Sequence, residues 1–531
     1  MSATPLPHNP SIWATLRYPQ FRALWSSGGI YFIGNAMQTM AGAWMMVELT
    51  GSSFLAALVQ TAVFLPMFLL SLPAGVMADI TDRRRLILTA LVVQAAAGTL
   101  MAVLLLAGIG GPGTLLFMIF VAGCCTALLS PAWNSTIADS VTRADLPQAI
   151  TCVSIAYNAA RAVGPALAGL VFTLVGGAWN FALAVVAVVV MALAIRRYPP
   201  KPHPPSRLPA ERLWGGMMAA LRFAWHSQTV LAQLVRTVAY AGAGSALWAL
   251  LPTIGAQKLG LGATGYGMLM GCLGTGAVLI GLVVGQLRHR VGLEKLVAIG
   301  CVVYALVNLI AAFAPWPALV YLSLVAGGAA WMAVMSTFNT ATQTSVPPWV
   351  RSRAVAMHTL CALGSFALGS AFWGAMADIT GLTFTLVAAA AAMAAGLLLG
   401  KPFPLRMGDA QDVTQTTPWD ELYVSKEPAP EAGPVAIEIG YRIRPEDASA
   451  FLEATSLLRA HRKRDGATFW RVYRDLADPS RYVERFIVSS WADYLHQRAR
   501  HTQADHELEA QVRAFVLPGE AVEMKHYLAE A

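Results

Sequence analysis

The sequence predicts an all-α membrane protein with about twelve transmembrane helices in two six-helix repeats, followed by a small α+β domain in the cytoplasm. Three observations carry this. Of 531 residues, 56% are hydrophobic and 12% charged, and the mean hydropathy is +0.55. A water-exposed surface needs more charge than that. The apolar excess points to a bilayer as solvent and excludes disordered, collagen-like and ordinary soluble chains. The apolar residues also fall in runs long enough to span, with short basic clusters between them, from about residue 24 to residue 399. Beyond Gly400 the composition becomes that of a soluble domain.

At about twenty residues per span, the runs lie at 24–48, 53–78, 86–107, 114–137, 149–174, 179–196, 230–256, 265–287, 295–313, 318–341, 354–377 and 382–400. Residues 1–22 form an N-terminal tail. Pro5, Pro7 and Pro10, with Arg17 and Arg22 before the first run, do not read as a signal peptide. The six-helix halves are 23–196 and 229–400, joined by a Pro- and Arg-rich central loop at 197–228. All six cysteines sit inside apolar runs and read as small hydrophobes rather than a disulfide framework.

Orientation follows from Lys and Arg. Residues 1–400 hold twenty, of which seventeen lie in the N-terminal tail or the loops after even-numbered spans, and only Lys258 lies in an opposite-side loop. This sorting predicts that both termini are cytoplasmic. The same loops account for the formal charge of +8 and pI near 9.2, so no nucleic-acid partner is expected.

The halves repeat. Residues 205 apart match at Asn134 and Asn339, Ser140 and Ser345, Val141 and Val346, Gly164 and Gly369, Gly169 and Gly374, Gly176 and Gly381, Arg83 and Arg288, and Arg85 and Arg290. Two halves of one design predict a binding site between them near the membrane midplane.

Residues 401–433, with several Pro and acidic residues, read as a linker. Residues 434–531 hold fourteen Lys/Arg and fifteen Asp/Glu. Val435, Ile437, Ile439, Tyr441 and Ile443 alternate like a half-buried strand. A helix is expected over 445–464, with Ala448, Phe451, Leu452, Thr455 and Leu458 on one face. Strands at 467–475 and 481–491 turn at Asp478-Pro479-Ser480, and a long helix over 492–515 precedes a last strand at 522–528. The order βαββαβ fits a ferredoxin-like domain.

Residues 75–86 read Gly-Val-Met-Ala-Asp-Ile-Thr-Asp-Arg-Arg-Arg-Leu. This resembles the loop between the second and third helices of the major facilitator superfamily. Gly75, Asp79, Arg83 and Arg84 match its pattern, while Ile80 replaces its first basic residue and Asp82 its second Gly. On the fifth span, Asn158-Ala-Ala-Arg161-Ala-Val-Gly164-Pro165-Ala-Leu-Ala-Gly169 is similar to the antiporter motif of exporters in that superfamily, with Ala160 and Ala168 where Gly is usual. The resemblance covers roughly residues 10–400 and is nearest the drug-efflux and enterobactin-exporter-like branch. It implies the major facilitator fold and export by alternating access. The fourth span has no Arg, which many proton-coupled members carry there. The tail resembles the antibiotic-biosynthesis-monooxygenase-like fold, a ferredoxin-like domain that commonly dimerises, which implies a homodimer through the C-terminal domain. Haem-degrading members of that group use an Asn, a Trp and a His. Trp491 and His501 fit two of those places, and residues 434–531 contain no Asn.

Among candidate functional residues, Arg161 is the sharpest, because a charge mid-span costs on the order of 3 kcal/mol on insertion scales. It binds substrate or couples transport, or it bonds Asn158 and the carbonyls freed by Pro165. Gly164, Pro165 and Gly169 mark the kink of the antiporter motif. Arg236, near the cytoplasmic end of the seventh span, either snorkels or serves the site. Glu48 and Asp378 are the acids nearest the non-cytoplasmic ends of spans, carrying protons if buried and otherwise hydrated. His358 has a suitable intrinsic acidity for proton work, or packs. Asn35, Gln38, Gln60, Tyr157, Asn158 and Asn339 offer polar groups within spans, and Trp133, Trp248 and Trp331 offer aromatic walls. Such a set suits an amphipathic organic substrate, although single Asn or Gln residues also join helices. Asp79, with Arg83 and Arg84, is expected to hold the N-terminus of the eleventh helix and so to favour the outward-facing state. His496, His501 and His506, at steps of five on a helix, do not share a face, and no metal site is expected. No phosphate-cradling Gly-Lys-Ser/Thr is present, so direct ATP drive is not expected.

The sequence thus reads as a secondary-active exporter of a small organic molecule, drug-like or siderophore, in a bacterial inner membrane. Protons are the expected coupling ion, the bilayer and the substrate the expected partners, and no cofactor or catalytic residue is expected. Two alternatives stand beside it: a carrier of another class, such as lipids or an importer, and a tail that is a carrier-anchored oxygenase or haem-binding module.

Overall fold

The computed structural model describes residues 12–142, 145–197, 221, 224–225, 227–407, 424, 427–499 and 501–530. They fall into two compact units. One takes its residues from 1–204, 237–337 and 360–399, the other from 205–236, 338–359 and 400–531.

The helical part comprises α1 (Pro19–Thr50), α2 (Ser53–Ile80), α3 (Arg83–Leu106), α4 (Pro112–Asp139), α5 (Leu146–Val175), α6 (Gly177–Arg197), α7 (Gln228–Thr253), α8 (Ala263–Gly281), α9 (Val284–Val291), α10 (Leu293–Phe313), α11 (Pro317–Thr344), α12 (Pro348–Thr380) and α13 (Leu382–Ala395). Eleven helices among the described residues are long and apolar enough to cross a membrane, against the twelve or so expected. The difference is α1, which is helical over 32 residues but carries Ser26, Ser27, Gly28, Gly29, Gly34, Asn35 and Gln38 in its middle. The eighth expected span is broken. α8 stops at Gly281 and α9 resumes at Val284, ending on Arg288, His289 and Arg290. Local chemistry sets the other ends. The Ser52 side chain accepts from the Leu55 amide to start α2, and Asp82 accepts from the Arg85 amide to start α3. Asp82, where the superfamily pattern has Gly, is therefore an N-cap, one of the orphan-donor solutions every helix needs.

The internal repeat has a structural meaning. Gly176 and Gly381 adopt φ of 97° and 88°, a region that only glycine enters without strain, and each opens the last helix of its half. Gly169 brings α5 against the backbone of Ala263 and Thr264 in α8. Gly374 likewise brings α12 against Ala57 and Phe54 in α2. A Cβ at either glycine would clash, so equivalent positions make two equivalent seams, each joining one half to the other.

The tail has strands β1 (Val435–Arg442), β2 (Phe469–Arg474), β3 (Arg481–Val488) and β4 (Glu523–Leu528), with helices α14 (Ala448–Asp465), α15 (Trp491–Ala499) and α16 (Gln503–Arg513). The sheet order is β2-β3-β1-β4 with every pair antiparallel, Ile437 facing Phe486 on one side and His526 on the other. That is the ferredoxin-like arrangement. Val435, Ile437, Ile439, Tyr441 and Ile443 all enter the core with Phe451, Leu458, Phe486 and Trp491. Two expectations are corrected. Leu452 is 42% exposed, because Phe451, Thr455 and Leu458 define the buried face of α14 and Leu452 lies about 100° off it. The long helix at 492–515 is two helices, because Thr502 and Asp505 form a capping box that starts α16 afresh.

Candidate transport site

Arg161 projects from the middle of α5. It is half-buried, and its guanidinium carbon lies 5.0 Å from the ring centre of Trp248 on α7 and 6.0 Å from that of Tyr157. Such cation–π contacts partly replace lost hydration. Among the described residues Arg161 has no ion-pair or hydrogen-bond partner. Asn158 does not hold it. The Asn158 amide donates to the Ser154 carbonyl at 2.9 Å instead.

Trp248 opens onto an aromatic cluster. Its ring lies 6.2 Å from Trp331 on α11 and 6.4 Å from Phe366 on α12. Phe366 in turn meets Trp331 at 5.7 Å and Phe64 of α2 at 4.9 Å, and Tyr240 stacks on Trp331 at 5.5 Å. The cluster therefore draws on both halves of the repeat. Trp133 is not part of it. Its ring packs against Gly28 within the first half.

The remaining candidates are dispersed. Asn35 accepts from Gln94, which accepts from Tyr31, whose hydroxyl also meets Thr126, a chain linking α1, α3 and α4. Gln38 and Gln60 are buried. Glu48 is exposed and accepts from the Trp44 indole at 2.7 Å. Arg236, His358 and Asn339 belong to the second unit. There Arg236 is 4% exposed, so it is buried rather than snorkelling, and His358 is buried as well. Asn339 accepts from Gln343, one turn along its own helix.

At the bundle end where α1 stops and α2 begins, the two halves lock together. Both Asp378 oxygens reach the start of α2, accepting from the Ser52 hydroxyl at 2.6 Å and the Ser53 amide at 2.7 Å. Gln257 donates to the Gly51 carbonyl, and Trp44 stacks on Tyr266 at 5.6 Å. Further in, Thr61 donates to the Ala367 carbonyl. Gly164 admits Ala36 of α1, and the Pro165 carbonyl lies against Gly267 of α8. The residues of the antiporter motif thus pack helices at backbone distance. Asp378 caps a helix of the other half. Ser52 was readable as a cap before an apolar run. Its pairing with Asp378, far along the chain, left no local signal, and neither did Gln94 or Tyr266.

Of the 75–86 motif, Gly75 lies near the end of α2, and the Asp79 side chain lies outside the described ones. Arg83 pairs with Asp139 of α4 at 3.1 Å, and Arg84 donates to the Arg196 carbonyl at the end of α6. Both arginines bind within the first half.

In the tail, Arg462 bridges Glu484 at 3.0 Å and Glu509 at 2.6 Å. Glu484, fully buried, also accepts from Tyr441 and Trp470. Arg464 pairs with Asp465 and Asp505, and His461 contacts Asp505. Burial opposes ionisation of Glu509, but Arg462 and His501 outweigh it and hold the carboxyl down to about 2. Trp491 is core, and His501 faces Glu509. Among the described residues no three His, Cys, Asp or Glu converge as a metal site.

The chain's relatives are consistent with this geometry. The profile of a family described as transmembrane secretion effector matches residues 10–531. A multidrug efflux pump, Tap, of Mycobacterium tuberculosis strain H37Rv is 28% identical over 67% of this chain and 87% of its own length. An enterobactin exporter, EntS, of Salmonella typhimurium is 28% identical over 76% of this chain and 95% of its own. The nucleoside transporter NupG superposes with a TM-score of 0.58 at 14% identity, over 73% of this chain and 100% of its own. A bacterial homologue of the lysosomal transporter Spinster does so at 0.57 and 15%, over 73% and 97%. With a family match across nearly its whole length and a shared fold, the chain belongs to the transmembrane secretion effector family of the major facilitator superfamily and is a multi-pass membrane protein.

Proposed function

We propose that this protein exports a small organic molecule across a bacterial inner membrane by alternating access, in exchange for protons. The observation that carries this is Arg161 set on an aromatic cluster built from both halves, where a two-repeat carrier binds its cargo. Efflux-pump and siderophore-exporter relatives support the direction. Both termini are assigned to the cytoplasm on charge sorting. Asp378 and its helix cap would close the far side, and Asp79 would hold the near side in the opposite state. The tail serves assembly or regulation, as a dimer through its open sheet face. Its buried acids and bases are spent on one another, which weighs against an oxygenase or haem site there.

Accumulation of a panel of drugs, dyes and siderophores in expressing cells, with and without a protonophore, tests the reading. Expression should lower accumulation of at least one compound, and the protonophore should restore it. Inverted vesicles should take the compound up when their lumen is acidified. Arg161→Ala should insert yet transport at least about tenfold more slowly, the size of a lost charge-assisted contact. Asp79→Asn should slow turnover several-fold, since a helix-end contact is worth on the order of 1 kcal/mol. Uptake into cells, or wild-type turnover of Arg161→Ala, would sink the proposal.

A further inference from the structure

We infer that the cargo is an aromatic anion: a planar ring bearing a carboxylate or an ionised phenolic oxygen. This rests on the transport reading of the Arg161 site and narrows it. Arginine, unlike lysine, is a permanent cation in proteins. Neither α5 nor α7 nor α11 contains an Asp or Glu. The carboxylates of the neighbouring helices with described partners are committed: Glu48 to Trp44, Asp378 to the start of α2. Among the described residues, then, the protein places a permanent cation in the bundle with no carboxylate paired to it.

The guanidinium's surroundings define what would complete it. Trp248 and Tyr157 offer ring faces to the cation, while none of its N–H donors is taken by a described residue. Those donors form a planar fork suited to two parallel bonds from one carboxylate. Beyond Trp248 the cluster continues through Trp331, Phe366 and Phe64; Trp331 and Phe366 are themselves buried, while Tyr157 is 45% exposed and suits offset or edge-on packing of a ring. A cationic dye would meet an uncompensated like charge. A small inorganic anion would satisfy the fork and leave the aromatic wall unused.

Equilibrium binding to the full-length protein in nanodiscs tests this with matched probes: salicylate against salicylamide, and 4-nitrophenol against 4-nitroanisole. Benzyltrimethylammonium and sulfate serve as controls. Each anion should bind roughly tenfold to a hundredfold more tightly than its neutral partner, the range of a charge-assisted bond. Arg161→Gln should bring that ratio close to one, and Trp248→Leu should weaken both members of a pair. In the wild type alone, affinity for 4-nitrophenol should fall as acid protonates the phenol, since the arginine stays charged. Equal binding within pairs, tighter binding of the cation, or absence of binding by any anion overturns the assignment. So does a ratio preserved in Arg161→Gln, or sulfate competing as well as salicylate. Transport without charge preference would remove the cargo class and leave export standing. Arg161-dependent binding of aromatic anions that cells then accumulate would do the reverse.

Discussion

Arg161 and Arg462 meet the same problem, a guanidinium away from water, in different ways. Arg161 rests on ring faces and leaves its donors open. Arg462 is enclosed by Glu484 and Glu509. The tail's stability should therefore hang on that cation. Arg462→Met strands two buried carboxylates and should cost about 3–5 kcal/mol at neutral pH, measured by urea unfolding of residues 427–531. The pH dependence has a definite sign. Glu509 sits at about 2 instead of 4.5, and Asp505 is held low in the same sense, against burial, by His461 and Arg464. Their stabilisation is full above the ordinary carboxylate range and fades as pH falls from about 4.5 toward 2. Asp465, raised by its burial, works the other way and blunts the slope. In Arg462→Met the stranded Glu509 takes up its proton sooner, so the deficit against the wild type should narrow on acidification. A deficit that is constant with pH would show that lost packing, not charge, dominates. The sequence could mark Arg161, because a lone charge in an apolar run needs no partner to be noticed. It could not mark Arg462, whose partners lie on a strand and a helix distant in the chain.

Helices and strands were legible wherever period and caps agreed. The alternation from Val435 to Ile443 became β1, which pairs with β3 on one side and β4 on the other, and the glycines of the repeat became the two seams between halves. What the pattern hid were breaks and long-range caps. Thr502 divides one apolar period into two helices, and Asp378 caps α2 across the repeat. That cap is the element most exposed to test. Removing a helix cap costs about 0.5–2 kcal/mol, enough to shift a two-state population between about twofold and thirtyfold. Asp378→Ala should loosen the α2–α12 seam. In a background without the native cysteines, a probe at Thr61→Cys should then react several-fold faster with an impermeant thiol reagent from that side. An unchanged rate would mean that the glycine packing alone holds the seam.

For the molecule as a whole, the fold class and the split into helical and α+β parts follow from composition, because a bilayer and water demand such different surfaces. Orientation is a separate question. A helical bundle packs equally well either way up, and only loop charge distinguishes its two ends. Seventeen of the twenty basic residues in the first 400 fall in the N-terminal tail or in the loops after even-numbered expected spans. Arg83 and Arg84 are anchored there at the ends of α4 and α6, with Asp139 and the Arg196 carbonyl. Such residues resist translocation, and reversing the bundle would require carrying nearly all of them across. Both termini should therefore face the cytoplasm, and the tail with them. A single cysteine at Thr416→Cys in the linker should escape an impermeant maleimide in intact cells and react once the membrane is permeabilised. Leu261→Cys, in a loop on the opposite side, should show the reverse. If Thr416→Cys is labelled in intact cells while Leu261→Cys is protected, the bundle lies the other way, and Asp378 closes the cytoplasmic side instead.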